Sequence, residues 1–126
     1  MPSAVQIAVE RYIQASSERD PAARAALLED CFAADGRLVT RGREIRGRAA
    51  LSAEIGKFLA DPLFLRIRLT SAIDARGTTY RMRAVIDRRD GTTSLESFDA
   101  GEIDADGRIS VILTFTGPLG EPEVAP

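Results

Sequence analysis

The sequence predicts an α+β fold in which helices pack on one face of a curved antiparallel sheet. Three observations carry this. Apolar residues recur at helical spacing in three segments before Pro62, apolar and polar residues alternate after it, and glycine turns punctuate the alternating half.

The first helix is marked by Val5, Ala8, Val9, Tyr12, Ile13 and Ala15, close to the i, i+3, i+4, i+7 pattern of one helix face. Ser3 with Gln6 three residues later resembles a capping box at its start. Asp20-Pro21 announces a second helix: a capping carboxylate, then a proline at the first helical position, where its missing N–H does no harm. Its buried stripe is expected to be Ala23, Leu27, Leu28, Cys31 and Phe32. A short extended piece, Arg37 to Thr40, then turns at Arg41-Gly42-Arg43 into Glu44-Ile45-Arg46. Gly47 opens a third helix with Ala50, Leu51, Ile55, Phe58 and Leu59 on its apolar face, and Asp61-Pro62 ends it, because the residue before proline is pushed out of the helical region.

From Pro62 onward the chain reads as strands. Leu65, Ile67, Leu69 and Ile73 alternate with Arg66, Arg68, Thr70 and Asp74. Further strands are expected over about 78–88, 93–103 and 108–116, separated by Arg76-Gly77, Asp90-Gly91 and Asp106-Gly107, where glycine supplies the positive φ of tight hairpins. Such short connections make neighbours antiparallel. The expected order is α-α-β-β-α-β-β-β-β.

With 126 residues the chain is read as one domain, 1–126, able to remove roughly two thirds of its unfolded surface from water. Its last stretch, 118–126, is expected to be a loose tail. The balance of 17 basic against 19 acidic side chains argues against a nucleic-acid partner. No apolar run approaches the ~20 residues of a membrane span, so no membrane partner is expected. The N-terminus lacks the pattern of a secretory signal, and the single cysteine, Cys31, has no internal disulfide partner. A cytoplasmic location is the expectation. There is no histidine, which excludes an imidazole-based triad and any histidine-ligated metal. Glu29, Asp30, Asp35, Asp104 and Asp106 lack calcium-loop spacing, so no metal and no cofactor are expected. Cys31, on an apolar stripe, reads as packing, and Arg41, Arg43, Arg46 and Arg48 as a solvated basic hairpin. Phe58, Phe64, Phe98 and Phe115 read as core or cavity lining.

Several stretches resemble the nuclear transport factor 2-like superfamily, in particular its SnoaL-like and ketosteroid-isomerase-like branch. They are Glu10-Arg11-Tyr12-Ile13, Ala26-Leu27-Leu28 before Cys31-Phe32, Arg46-Gly47-Arg48 with Ala50-Leu51, and Asp99 followed by Asp104-Ala105-Asp106-Gly107-Arg108-Ile109 and Thr114-Phe115. The resemblance covers about Val5 to Gly117. It implies a cone, in which the sheet wraps round the first helix and leaves an apolar cavity for a small hydrophobic molecule, and it implies a homodimer. The same fold hosts isomerases, cyclases, epoxide hydrolases, dehydratases and non-catalytic subunits.

In the ketosteroid-isomerase-like branch a helix tyrosine and a protonated aspartic acid donate hydrogen bonds to an enolate oxygen, and that enzyme is the standard example of a carboxylic acid kept neutral by an apolar site. By resemblance, Tyr12 and Asp99 hold those two positions, as catalytic donors to an oxyanion. The isomerases' general base is an aspartate at the end of the first strand, where this chain has Thr40-Arg41. A threonine hydroxyl cannot take a proton from carbon near neutral pH. The resemblance further implies that Thr40, Ile55, Phe58, Arg81, Arg83, Asp87, Ile112 and Thr114 face the ligand. Alternation puts Arg81, Arg83, Val85 and Asp87 on one strand face. If that face looks inward, Arg83 could pair with Asp99 and keep it ionised, or bind a ligand carboxylate. Two further readings stand beside an isomerase or cyclase: a non-catalytic binding or dimerisation module, and epoxide-hydrolase-like chemistry drawing on Asp87, Arg83 and Asp99.

Overall fold

A computed structural model describes residues 1–123. Among them are helices α1 (Ala4–Ala15), α2 (Pro21–Cys31) and α3 (Arg48–Ala60). The strands are β1 (Phe32–Thr40), β2 (Arg43–Arg46), β3 (Phe64–Leu69), β4 (Asp74–Arg76), β5 (Thr79–Arg88), β6 (Ser97–Ile103) and β7 (Ile109–Thr116). The sheet runs β2-β1-β7-β6-β5-β3, with β4 pairing β5 as well. The architecture is α+β, a curved and unclosed sheet wrapped round the helices. Residues 118–123 carry no helix or strand, and the rest of the expected tail, 124–126, lies outside the described residues.

The start signals act as the residues suggest. Ser3 Oγ accepts from the Gln6 backbone N–H at 3.1 Å, and Asp20 Oδ2 accepts from that of Ala23 at 3.2 Å. The capping box is only half made, because Gln6 donates forward to Glu10 at 3.2 Å instead of back to Ser3. Gly47 caps α3 with φ 88°, a left-handed conformation that a side chain would strain.

Two strands start elsewhere than expected, β1 already at Phe32, directly after α2, and β6 only at Ser97, and two features of the sheet's connectivity also depart from the expectation. The alternating run from Leu65 to Asp74 is interrupted after Leu69, so β5 pairs with two collinear pieces, β3 and β4. The meander β3-β5-β6-β7 is antiparallel, yet β7 closes on β1 in parallel, Leu38 opposite Ile112 and Val39 opposite Leu113. A parallel pair needs a long crossover, and here most of the chain between β1 and β7 serves as one.

The core gathers Val5, Val9, Leu28, Cys31, Phe32, Leu51, Ile109 and Ile112, all essentially without solvent contact. On α2, Ala23 and Leu27 are only partly covered, while Arg24 is buried. Its guanidinium donates to the Glu18 carbonyl at 2.8 Å and to Ser52 Oγ at 2.9 Å, fixing α2 against α3. Such charge-assisted bonds let a buried cation sit without a carboxylate.

Candidate active site

The registers of the sheet build the site rung by rung. Asp99 on β6 stands opposite Met82 on β5 and Thr114 on β7. Continuing the β1–β7 register one residue past Val39 and Leu113 sets Thr40 beside Thr114. Thr40, Thr114, Asp99 and Met82 therefore form one rung, and all four line a cavity of about 500 Å³. The rung toward its open end is Thr116, Ser97 and Ala84, also lining. The next rung inward is Leu38, Ile112, Gly101 and Tyr80. From the helical side the same cavity is lined by Tyr12 of α1 and by Ile55 and Phe58 of α3. Size and apolar walls suit a small organic ligand.

Tyr12 reaches the cavity because its position belongs to the stripe that α1 buries: Val5, Ala8, Val9, Tyr12 and Ala15. Burial, and then the neighbouring Asp99 charge, push its phenol well above its ordinary range, so it stays a hydrogen-bond donor. The Ser16 hydroxyl partly opposes this. Burial likewise pushes Asp99 up from 3.8 to about 6, against a smaller opposing contribution from the Thr114 hydroxyl. Asp99 Oδ1 is buried and has no hydrogen-bond partner among the described residues. Buried polar atoms in native proteins are generally hydrogen-bonded, so this oxygen is open to a partner that enters the cavity, a ligand or a water. Two polar groups are thus held in an apolar chamber, one a firm donor and the other an acid whose proton is retained up to about pH 6.

No protein-family model matches the chain. The steroid delta-isomerase of Nocardioides simplex is 31% identical over 132 aligned positions, covering 100% of this chain and 99% of that protein. The chain belongs to the steroid delta-isomerase family, the ketosteroid-isomerase-like branch of the nuclear transport factor 2-like superfamily. Solved structures agree on the fold. A SnoaL-like family protein from Agrobacterium tumefaciens superposes with a TM-score of 0.81 at 21% identity, over 91% of this chain and 98% of that one. A cystatin-like-fold protein from Methylobium petroleophilum gives 0.74 at 18% identity, over 98% and 82%.

Within this isomerase-family chain, Thr40, Ile55, Phe58 and Thr114 line the cavity together with Tyr12 and Asp99, whereas four other expected ligand-facing residues do not. Arg81 and Arg83 lie on the outer face, exposed. Arg81 donates to Asp74 at 2.7 Å, and Arg83 lies 3.7 Å from Glu96. Arg83 stands opposite Phe98 while Asp99 stands opposite Met82, so the two point to opposite sides of the sheet and make no pair. Asp87 is buried away from the cavity, bonded by Arg66 and Arg68 at 2.9 Å each and by Thr93 at 3.2 Å. The Arg68 and Arg66 guanidiniums hold its carboxyl well below the usual range. Ile112, one rung inward, is fully buried core. The constellation of Asp87, Arg83 and Asp99 needed for epoxide-hydrolase-like chemistry is therefore dispersed. Of the phenylalanines, Phe64 is buried and Phe58 is at the cavity rim, while Phe98 and Phe115 pair across the outer face.

Tyr80 is a buried neighbour of the site that the resemblance does not single out. Its ring lies over Gly101, where an added Cβ would fall 2.6 Å from a ring carbon, so only glycine admits it. Its hydroxyl is buried with no partner among the described residues. Burial, then the charges of Tyr12 and Asp99, push its phenol well above 10, so it backs the site from one rung deeper as a neutral group. The signal was present: Tyr80, Met82 and Ala84 are the apolar alternates of β5, and the apolar face of a half-buried strand goes inward. Cys31 is fully buried and its thiol is pushed up to about 11, mainly by burial. It is no nucleophile at neutral pH. Among the described residues no cluster of three acidic or cysteine side chains could hold a metal ion.

Proposed function

We propose that the protein binds a small, largely apolar carbonyl compound in this cavity and acts as an isomerase- or cyclase-type catalyst, with Tyr12 and, in the fraction that keeps its proton, Asp99 donating to the oxygen as it gains enolate character; the Asp99 contribution is full below about pH 6 and falls above it. The observation that carries this reading is the unpartnered Asp99 oxygen in an apolar chamber shared with the Tyr12 phenol. Donors fixed in advance contribute most where charge develops, because little must reorganise as the reaction proceeds. Membership beside a steroid delta-isomerase supports the reaction class.

A second reading, ligand binding without turnover, draws on Thr40. The cavity's other carboxylate, Glu54, is bonded in a fork by Arg43 at 2.8 and 3.0 Å, which holds its pKa below the ordinary value and makes it a poor base. A naphthol, as an analogue of the enolate, tests the shared core of both readings. It should raise the melting temperature of the wild type, and Tyr12→Phe should remove most of that rise; a naphthol shift unchanged in Tyr12→Phe would refute the donor role. We also propose a homodimer through the outer face of the sheet, where Phe98 and Phe115 are 39% and 61% exposed and stand opposite each other. Light scattering at the 13.6 kDa of one chain would exclude it.

A further inference from the structure

The open end of the cavity carries a charge arrangement that the isomerase reading leaves unused. The ionisable side chains lining the cavity are Tyr12 and Asp99 inside, and Arg41, Arg43 and Glu54 at the β1–β2 hairpin and α3. Gly42, with φ 70°, makes the tight turn that sets Arg41 and Arg43 on either side of the hairpin tip. Arg43 spans to α3 and spends its charge on Glu54, which Lys57 also approaches at 3.7 Å. Arg41 makes no ion pair and no side-chain hydrogen bond among the described residues. The rim therefore holds two cations against one carboxylate, which Lys57 also neutralises from outside the lining, in a chain whose net charge is −2. The local excess is a property of this rim and not of a generally basic surface.

We propose that Arg41 reads a carboxylate on the substrate, so that the ligand is a keto acid or enone acid bound with its carbonyl at Tyr12 and Asp99 and its anionic end at the hairpin tip. The dimensions agree. Thr40 and Asp99 share a rung two strand spacings apart, about 10 Å, and Arg41 follows Thr40 directly, so the two polar ends of the ligand are separated by about that length. The wall between them is apolar, with Ile55, Met82 and Ala84 facing inward. A planar guanidinium with free donors takes a carboxylate by two parallel hydrogen bonds, and it also draws the anion in before contact. This inference rests on the proposed orientation of the carbonyl, and the experiment separates the two.

Titration calorimetry with para-hydroxyphenylbutanoate and with its methyl ester compares ligands that share a phenol and differ only in the distal charge. The wild type should bind the acid about three- to tenfold more tightly than the ester, as expected for one rim ion pair of good geometry. Arg41→Gln should bring the acid down to the affinity of the ester. Glu54→Gln, which frees Arg43, should enlarge the preference. Because the rim is solvated, the preference should fade in about 0.5 M salt, where the screening length is only a few ångströms. Equal binding of acid and ester by the wild type, or a preference that survives Arg41→Gln, overturns the inference and leaves the donor reading intact. Failure of both ligands to bind overturns both.

Discussion

Replacing Asp99 with asparagine should stabilise this protein at neutral pH, against the usual direction of a substitution in a buried site. The carboxyl titrates near 3.8 in an unfolded chain and at about 6 in the folded one. Between those values the native state binds a proton that the unfolded state has lost, so stability falls as pH rises through that window. Below 3.8 both states are protonated and the full contribution is present; above about 6 it is gone. The gap of about two pH decades corresponds to about 3 kcal/mol at pH 7, from 1.36 kcal/mol per decade. Asparagine keeps the shape and a donor but cannot ionise. Asp99→Asn should therefore exceed the wild type by about 2–3 kcal/mol at pH 7, roughly 10 °C in melting temperature for a chain of this size. At pH 4, where the unfolded carboxyl is itself about half protonated, its advantage should shrink to a small fraction of that. Urea melts of both proteins at the two pH values measure this, and titrations elsewhere cancel in the difference. If asparagine destabilises at pH 7 by as much as at pH 4, Asp99 is an ordinary paired carboxylate and the donor argument fails.

Two other perturbations address the same rung and the next one inward. Thr40→Asp restores a carboxylate two strands from Asp99, where the isomerases carry their base. It should raise the rate of isomerisation of a β,γ-unsaturated ketone by at least tenfold, within the 10²–10⁴ range typical of a positioned general base; a rate unchanged from wild type, with ligand binding retained, would mean that the carbonyl does not lie across this rung. Gly101→Ala puts a methyl group 2.5 Å from the Val111 carbonyl and 2.6 Å from the Tyr80 ring. Overpacking of this kind should lower stability by about 1–3 kcal/mol and displace Tyr80; an unaltered melt would show that the ring is not seated on the glycine.

Much of the fold was legible because its signals are local. Capping at Ser3 and Asp20, the stop at Asp61-Pro62 and the glycine turns each act within four residues, and each appears where it was expected. The parallel closure of β7 on β1 left no such trace, since neither strand's pattern depends on the direction of its neighbour. The interruption between β3 and β4 was equally silent, for Thr70 and Ser71 fit an alternating pattern as well as a break. Arg24 was hidden for a different reason: a cation on an apolar stripe is buried only because the Glu18 carbonyl and Ser52 await it, and neither is adjacent in sequence.

For the site, the same distinction decides what could be read. Tyr12 and Asp99 were found through their resemblance to a known pair, and the structure brings them to one cavity. The resemblance turns the arginines of β5 toward the cavity, whereas the residues themselves favour the opposite face. Turning Arg81 and Arg83 inward would have buried two guanidiniums in an apolar cone and exposed Tyr80 and Met82. Outside, the same arginines find Asp74 and Glu96 at the solvated surface, and the inner face keeps no cation near Asp99. That outcome is what lets burial raise the Asp99 carboxyl to about 6, so that it keeps its proton in mildly acid solution. An inward Arg83 would have lowered its pKa and removed the donor, so the chemistry proposed for the cavity depends on the orientation of a strand whose charged residues never enter it.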